Sequence, residues 1–165
     1  MIVIADTTPL NYLVLIGGVD ILPELYGRIL IPLAVWKEFQ RPETPAAVRA
    51  WVTHPPSWLE VRSVEKNPHP VFRNLGAGER EAIALAEELR ADRLIMDDRA
   101  GRRVAMQRNL TVIGTLGVLV EAAERSLIDL SEAVARLQET SFLRVTRSSE
   151  CVASTIREET LGRLT

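Results

Sequence analysis

The chain has 165 residues, enough for one domain with a substantial core, and its 47% hydrophobic content excludes wholesale disorder. The formal net charge of −2 shows no basic surplus that would attract nucleic acid nonspecifically. The single cysteine excludes an intrachain disulfide framework and a cysteine-based zinc cluster, and it favours a reducing, cytoplasmic setting. The first apolar run lacks a preceding basic region and ends at Asp6, which is not typical of a signal peptide, and no run of about 18 apolar residues predicts a membrane span.

The first half of the chain alternates short apolar runs with helical segments. Apolar or alternating patterns predict strands at 2–5, 29–31 and 58–64, and helical patterns are found at 10–16, 20–26, 32–41 and 46–53. Thr7 and Thr8 are suitable caps for the first helix, and Pro9 suits its first turn. The prolines and asparagines of residues 65–76 predict a surface loop.

The second half repeats the alternation before it becomes helical. Strands are predicted at 94–96 and 111–113, and helices at 79–91, 99–108, 116–125, 131–139 and 149–160. This order predicts an α/β protein, a three-layer α/β/α sandwich around a mostly parallel sheet. We expect one domain over 1–165, with a core at about 1–125 and a helical C-terminal segment at about 126–165.

Acidic residues follow two of the most apolar predicted strands. Asp6 comes directly after the first strand, and Asp97 and Asp98 follow the strand at 94–96. Ligands of open parallel sheets bind beyond the carboxyl ends of the strands, so these acids should meet at one edge. Clustered carboxylates repel one another unless a cation joins them, and their hard oxygens suit Mg²⁺ or Mn²⁺.

Two further acids lie on predicted helices. Glu79 shares a helix face with Ile83 and Ala86, which should turn it inward, and Glu38 lies in the helix opened by Pro32. Glu81 should face water. Each acid also has a structural explanation: Glu79 as a helix N-terminal acid, Asp6 and the Asp97–Asp98 pair as caps, and Glu38 as a surface residue. The functional argument therefore depends on their combined positions.

Five short motifs in this order resemble the PIN domain, specifically the PIN-like proteins related to VapC-type toxins. The matching segments cover most of residues 1–125, and they are Ile4–Leu10, Ile31-Pro32 with Val35 and Glu38, Leu75–Ala86, Leu94–Arg99 and Val112–Gly117. The resemblance implies an α/β/α sandwich and a metal-dependent ribonuclease.

The resemblance also assigns roles to residues of this chain. The implied acids, catalytic and metal-ligating, are Asp6, Glu38, Glu79 and Asp98, with Asp97 as an alternative fourth ligand. The hydroxyl that follows the first acid corresponds to Thr8. Many relatives carry aspartate where this chain has Glu79, which keeps the charge and changes the reach. One or two Mg²⁺ or Mn²⁺ ions held there could activate water for phosphodiester hydrolysis.

Arginines follow the last acidic pair. Arg99, Arg102 and Arg103 have helical spacing, and residues 99–108 contain no acid, so this face could contact an RNA backbone. A solvated outer face is the alternative. Because metal would offset much of the negative charge of the acids, the net charge of −2 does not argue against RNA; it predicts metal-dependent binding.

Three functions therefore remain for comparison. The first is a Mg²⁺- or Mn²⁺-dependent endoribonuclease, the toxin of a toxin–antitoxin pair. The second is a catalytically silent module of the same fold that binds RNA or a partner protein. The third is a receiver-like phosphoacceptor domain, which also gathers acids at strand ends. The family resemblance further implies a homodimer, with residues 10–26 as a contributor, and a small antitoxin that inserts a segment at the acidic site.

Overall fold

The computed structural model describes residues 1–66 and 69–142. The predicted helix at 149–160 and the end of the predicted C-terminal segment lie outside these residues. Five strands are formed: β1 Val3–Ala5, β2 Ile29–Pro32, β3 Leu59–Arg62, β4 Arg93–Ile95 and β5 Val112–Ile113. All five strands are parallel, in the order β3-β2-β1-β4-β5.

Helices connect the strands and cover both faces of the sheet. Before β4 they are α1 Thr7–Leu15, α2 Ile21–Tyr26, α3 Leu33–Phe39, α4 Ala46–Thr53 and α5 Ala77–Glu88. After β4 they are α6 Arg99–Gln107, α7 Thr115–Glu124 and α8 Leu130–Glu139, and a 3₁₀ turn occupies Pro70–Phe72. The predicted α/β architecture is confirmed, and the sheet is wholly rather than mostly parallel.

Successive side chains of the strands pack into two separate hydrophobic cores, one on each face of the sheet. Val3 and Ala5 of β1 pack on the face covered by α1, α2, α4, α7 and α8. Ile4 packs on the other face with apolar residues of α5, including Ile83 and Leu85. Because side chains point to opposite faces at every second residue, an unbroken apolar run is what a strand covered on both faces requires.

The strand order places a crevice at the centre of the molecule. The chain winds from β1 through β2 to β3 in one direction and then returns to build β4 and β5 on the opposite side of β1. The order therefore reverses between β1 and β4, and such a switch point is where open α/β sheets bind ligands. The order also differs from the 2-1-3-4-5 sheet of receiver-like proteins, which removes that alternative.

One local prediction at the end of β1 is wrong. Helix α1 begins at Thr7 rather than at residue 10 after a threonine cap. Asp6 takes the N-cap position, as its structural explanation predicts, but its side chain makes no capping hydrogen bond. The Thr7 hydroxyl does not cap the helix; it donates to Glu38 of α3. Long-range pairing between two elements has replaced the local capping that the sequence suggested.

The amino edge of the sheet carries a buried charged group of its own. Glu121 of α7 accepts a hydrogen bond from the Tyr26 hydroxyl at 2.6 Å and one from the Arg93 guanidinium at 2.8 Å. Arg125 approaches the second carboxylate oxygen at 3.8 Å. Burial and the bond to the Glu121 carboxylate raise the pKa of Tyr26 above its ordinary value. The Glu121 carboxylate thus lies among hydrogen-bond donors and basic groups.

Most apolar side chains of residues 10–26 are buried inside the protein. Leu10, Leu13, Leu22 and Leu25 are each 5% exposed or less and belong to the α1–α2 core, whereas Leu15 is 38% exposed. This segment therefore offers little apolar surface to a second copy. Among the described residues, none of the helices combines the length and the hydropathy needed to cross a bilayer.

Candidate metal centre

Asp6 is the deepest acid of the carboxyl edge. It follows β1 directly, its backbone N–H donates to the Ile95 carbonyl of β4 at 2.9 Å, and only 2% of the residue is exposed. Burial raises the pKa of Asp6 to about 8, a backbone hydrogen bond at Thr7 opposes the rise, and the charges of Glu79, Glu38 and Asp97 add to it. Asp6 thus lies at the switch point, within electrostatic reach of three other acids.

Glu38 joins the cluster from α3. Its Oε1 accepts from the Gly78 backbone N–H at 3.0 Å, and its Oε2 accepts from the Thr7 hydroxyl. A Cβ at position 78 would lie 2.9 Å from Oε2 and 3.0 Å from Oε1 of Glu38, so a side chain there would displace this carboxylate from its present position. The glycine at 78 in the Leu75–Ala86 motif therefore has a steric reason.

Glu81 forms the reciprocal contact and corrects an expectation. It does not simply face water: its Oε2 accepts from the Ala34 backbone N–H at the start of α3, at 2.9 Å. Glu38 of α3 thus binds the amino end of α5, and Glu81 of α5 binds the amino end of α3. Each glutamate satisfies an N–H group that has no partner within its own helix.

Glu79 lies in the first turn of α5 and is half-buried. One carboxylate oxygen accepts from the Gly76 backbone N–H at 2.6 Å. Desolvation raises the pKa of Glu79, this hydrogen bond lowers it, and the charges of Asp98 and Glu38 raise it further. Glu79 closes the start of its helix, as its structural explanation predicts, and it lies near other acids. Its role as a metal ligand stays a prediction.

The neighbouring acids Asp97 and Asp98 have different surroundings. Asp97 accepts from the Thr115 backbone N–H at 2.8 Å and from the Thr115 hydroxyl at 2.6 Å. Desolvation raises the pKa of Asp97, and Thr115 and the Arg102 guanidinium lower it. Asp98 is exposed and caps α6 through the Gly101 N–H at 2.7 Å. Both carboxylate oxygens of Asp97 are engaged, whereas Asp98 uses only one oxygen in its cap.

The remaining predicted site residues separate into two groups. Arg102 does not extend with its neighbours: its guanidinium donates to the Met96 carbonyl at 3.0 Å, and a Cβ on Gly114 would lie 2.7 Å from it. Arg99 and Arg103 are exposed. Thr8 is half-buried on α1, and the hydroxyl that reaches a site acid belongs to Thr7. The substrate-binding roles of these residues stay predictions.

The carboxylate groups of this edge are the ligand type that a hard divalent cation prefers, but they are not arranged as a preformed metal cage. Carboxylate oxygens are preferred by Mg²⁺ and Mn²⁺, and burial together with the charges of Glu79, Glu38 and Asp97 raises the pKa of Asp6, which a bound cation would offset. Among residues 1–66 and 69–142, however, no three acids or histidines are arranged as a ready metal cage. The carboxylates are instead hydrogen-bonded to nearby N–H and hydroxyl groups.

Taken together, the fold and this edge define a parallel α/β protein whose ligand site is a carboxylate cluster at the switch point. The family model described as DUF3368, PIN domain, matches residues 2–158. The chain belongs to this PIN-domain family. PIN domains are generally nucleases that use divalent metal ions, and the fold here is of that nuclease type.

Comparison with solved structures supports the fold. The chain is similar to a PilT N-terminus domain protein from the hyperthermophilic archaeon Sulfolobus solfataricus P2, with a TM-score of 0.55 and 21% identity. The match covers 75% of this chain and 95% of the archaeal chain. No curated protein matches significantly.

The sequence did not reveal two residues that shape this site. Thr115 holds Asp97 through two hydrogen bonds, and Thr7 reaches Glu38. The Gly114-Thr115 pair after β5 was a usable signal, because residues directly after a parallel strand lie at the same edge as Asp6 and Asp97.

Proposed function

We propose that the protein is a Mg²⁺- or Mn²⁺-dependent endoribonuclease that hydrolyses phosphodiester bonds at the carboxyl edge of its sheet. The observation that carries the proposal is the position of Asp6, which is buried at the switch point beside the charges of Glu79, Glu38 and Asp97. An acid held there without a basic partner is costly to ionise, and a cation is the natural compensation.

The roles of the chain's own groups follow from their contacts. Asp6, Glu79 and Asp98 would hold the cation, with Glu38 beside them and Asp97 as the alternative to Asp98. A divalent cation in such a site supplies Lewis acidity and charge neutralisation at the scissile phosphate. Thr115 and Arg102 fix Asp97, and Thr7 and Gly78 fix Glu38, so the edge keeps its shape when the charges change.

Asp6→Asn tests the proposal directly. The variant keeps the size and the N-cap position, but it loses the charge that would bind metal, so Mg²⁺- or Mn²⁺-dependent RNA cleavage should fall below detection while the circular dichroism spectrum is retained. Asp129→Asn is the matched control, because Asp129 caps α8 and asparagine caps as well as aspartate. Full cleavage by Asp6→Asn would refute the proposal.

We further propose that the nuclease is the toxin of a toxin–antitoxin pair and acts as a homodimer in the cytoplasm. The family resemblance supports this. Induced expression in a bacterial host should arrest growth with the wild-type chain and not with Asp6→Asn. Growth equal to that of the variant would count against the toxin role.

A second function, a silent module that binds RNA or a partner protein, is favoured by one observation. The site acids are already hydrogen-bonded, and no ready cage is formed in the described part of the chain. Millimolar Mn²⁺ distinguishes the two functions: a ligand at 100 times its dissociation constant stabilises by about 2.7 kcal/mol. A nuclease should show a raised melting temperature that Asp6→Asn abolishes, and a silent module should show no shift.

A further inference from the structure

A cleft of about 370 Å³ opens beside the amino end of α5, outside the carboxylate cluster. This volume falls within the range of small-ligand sites. The lining comes from the 3₁₀ turn, the segment that follows it and the first turns of α5. The lining residues are His69, Pro70, Arg73, Ala77, Arg80 and Glu81.

Within residues 1–66 and 69–142, the arginines of this cleft lack the carboxylate partners that other arginines of the protein have. Arg73 is exposed and Arg80 is half-buried, and within the described part of the chain neither guanidinium has a carboxylate within 4.0 Å. Arg93 and Arg108, by contrast, are each paired with a glutamate. The acid of the cleft, Glu81, directs its Oε2 to the Ala34 N–H at 2.9 Å. Among the described residues, the two arginines of the cleft therefore have no acid paired with them.

The cleft adjoins the candidate metal centre through the first turn of α5. Arg80 follows Glu79 in the chain, about 100° further around the helix, and Ala77 precedes the Gly78 N–H that binds Glu38. One helical turn advances about 5.4 Å, so a polyanion lying over Arg80 is already at the border of the acidic edge. Arg99 and Arg103 lie beyond Asp98, on the α6 side of the same edge.

We propose that this cleft binds the phosphodiester backbone of single-stranded RNA, with Arg73 and Arg80 contacting phosphates that flank the scissile bond. The inference rests on the proposed nuclease function and adds the path of the substrate over α5. Guanidinium groups bind phosphate through paired N–H donors, and backbone contacts of this kind position the strand without reading its sequence. The acidic edge repels the same backbone, so the cleft supplies attraction where the cluster cannot.

The test is the double substitution Arg73→Gln and Arg80→Gln, with Arg90→Gln as the matched control. Arg90 also carries one positive charge and follows α5, but at its opposite end. Affinity for a single-stranded RNA oligonucleotide is measured at several salt concentrations, with Ca²⁺ replacing Mg²⁺ to slow cleavage. Each lost phosphate contact should reduce the slope of log K against log salt by about 0.7, hence about 1.4 for the double variant, with affinity about tenfold weaker at low salt.

The kinetic readout separates this inference from the proposed function. In the presence of Mn²⁺, the double variant should raise KM for RNA by a larger factor than it lowers kcat, and Arg90→Gln should change neither. If a folded double variant shows unchanged RNA affinity, salt dependence and KM, the inference is overturned. An acidic protein segment would then be the candidate ligand of the cleft. If the wild type binds RNA with the arginine-dependent slope but cleaves none, the nuclease function fails and the cleft assignment stands.

Discussion

The two edges of the sheet bury the same kind of group in opposite ways. At the amino edge, Glu121 is 8% exposed and is surrounded by Arg93, Arg125 and the Tyr26 hydroxyl. At the carboxyl edge, Asp6 is 2% exposed and its charged neighbours are acids. Basic groups of the protein itself compensate the first carboxylate, whereas the proposed function assigns the compensation of the second to a cation. A buried acid beside other acids is therefore a candidate functional site, and a buried acid beside arginines is typical of a structural ion pair.

The largest expected effect is a dependence of the stability of the metal-free protein on pH. Burial raises the pKa of Asp6 from its ordinary 3.8 to about 8 in the folded chain, so the folded state binds more protons than the unfolded state between these two pH values. Stability of the metal-free protein should therefore fall as pH rises from about 4 to about 8, by at most about 1.4 kcal/mol per pH unit from this group. Urea unfolding in EDTA across this range measures the slope.

Asp6→Asn is the control for that slope, because asparagine resembles the protonated acid. The variant should be more stable than the wild type at pH 8 in EDTA, and the difference should shrink towards pH 4. The raised pKa of Glu79 leaves a smaller decline of the same sign in the variant. A wild-type stability that is flat between pH 4 and 8 would contradict the burial of an uncompensated charge.

The second prediction concerns removal of the buried Glu121 carboxylate at the amino edge. Glu121→Ala leaves Arg93 and the buried Tyr26 hydroxyl without their shared acceptor, and breaking a buried pair costs about 3–5 kcal/mol. Because the Arg93 side chain is 26% exposed, we expect about 2–3 kcal/mol in urea unfolding. RNA cleavage at a temperature where the variant is folded should stay at the wild-type level, and a loss of cleavage would mean that the two edges are coupled.

The smallest effect concerns the support of Asp97. Thr115→Val keeps the shape of the side chain and removes the hydroxyl that donates to Asp97 at 2.6 Å. Loss of one hydrogen bond to a charged group should cost about 1.5–3 kcal/mol at most, and less here because the Thr115 N–H still donates to Asp97. Cleavage should decrease at low Mn²⁺ and recover at high Mn²⁺ if Asp97 belongs to the metal site. If cleavage does not recover at any Mn²⁺ concentration, Thr115 has a role other than supporting a metal ligand.

Much of this fold follows from short-range sequence patterns, and the exceptions have physical causes. The strands after residues 2, 28 and 92 are readable because each contains a short apolar run, and the helix at 46–53 is readable because it follows Pro45. The carboxyl-edge position of Asp6, Asp97 and Asp98 follows from the parallel sheet alone. Helix α1 begins earlier than predicted, and the Thr7 hydroxyl bonds Glu38, 31 residues away, instead of capping the helix.

Side-chain direction was the least predictable feature of the site. Helical spacing alone placed Glu81 in water and placed Arg102 beside Arg99 and Arg103. The structure turns Glu81 to the open amino end of α3 and Arg102 to the Met96 carbonyl and Asp97. Both side chains follow a polar group on another element, and spacing within one helix carries no information about such partners.

The reversal of strand order between β1 and β4 also determines when the site can exist. Asp6 and Asp97 are 91 positions apart in the chain, and the parallel pairing of β1 with β4 brings them within electrostatic range of each other. Contacts of such long sequence separation form slowly, because the intervening chain must first be ordered. During synthesis, the acids cannot gather until residue 98 has emerged, so a truncated or unfolded chain carries the acids without the centre. The proposed cleavage activity therefore requires β1 and β4 to be paired, and a cleavage assay during refolding would report on the pairing of these two central strands.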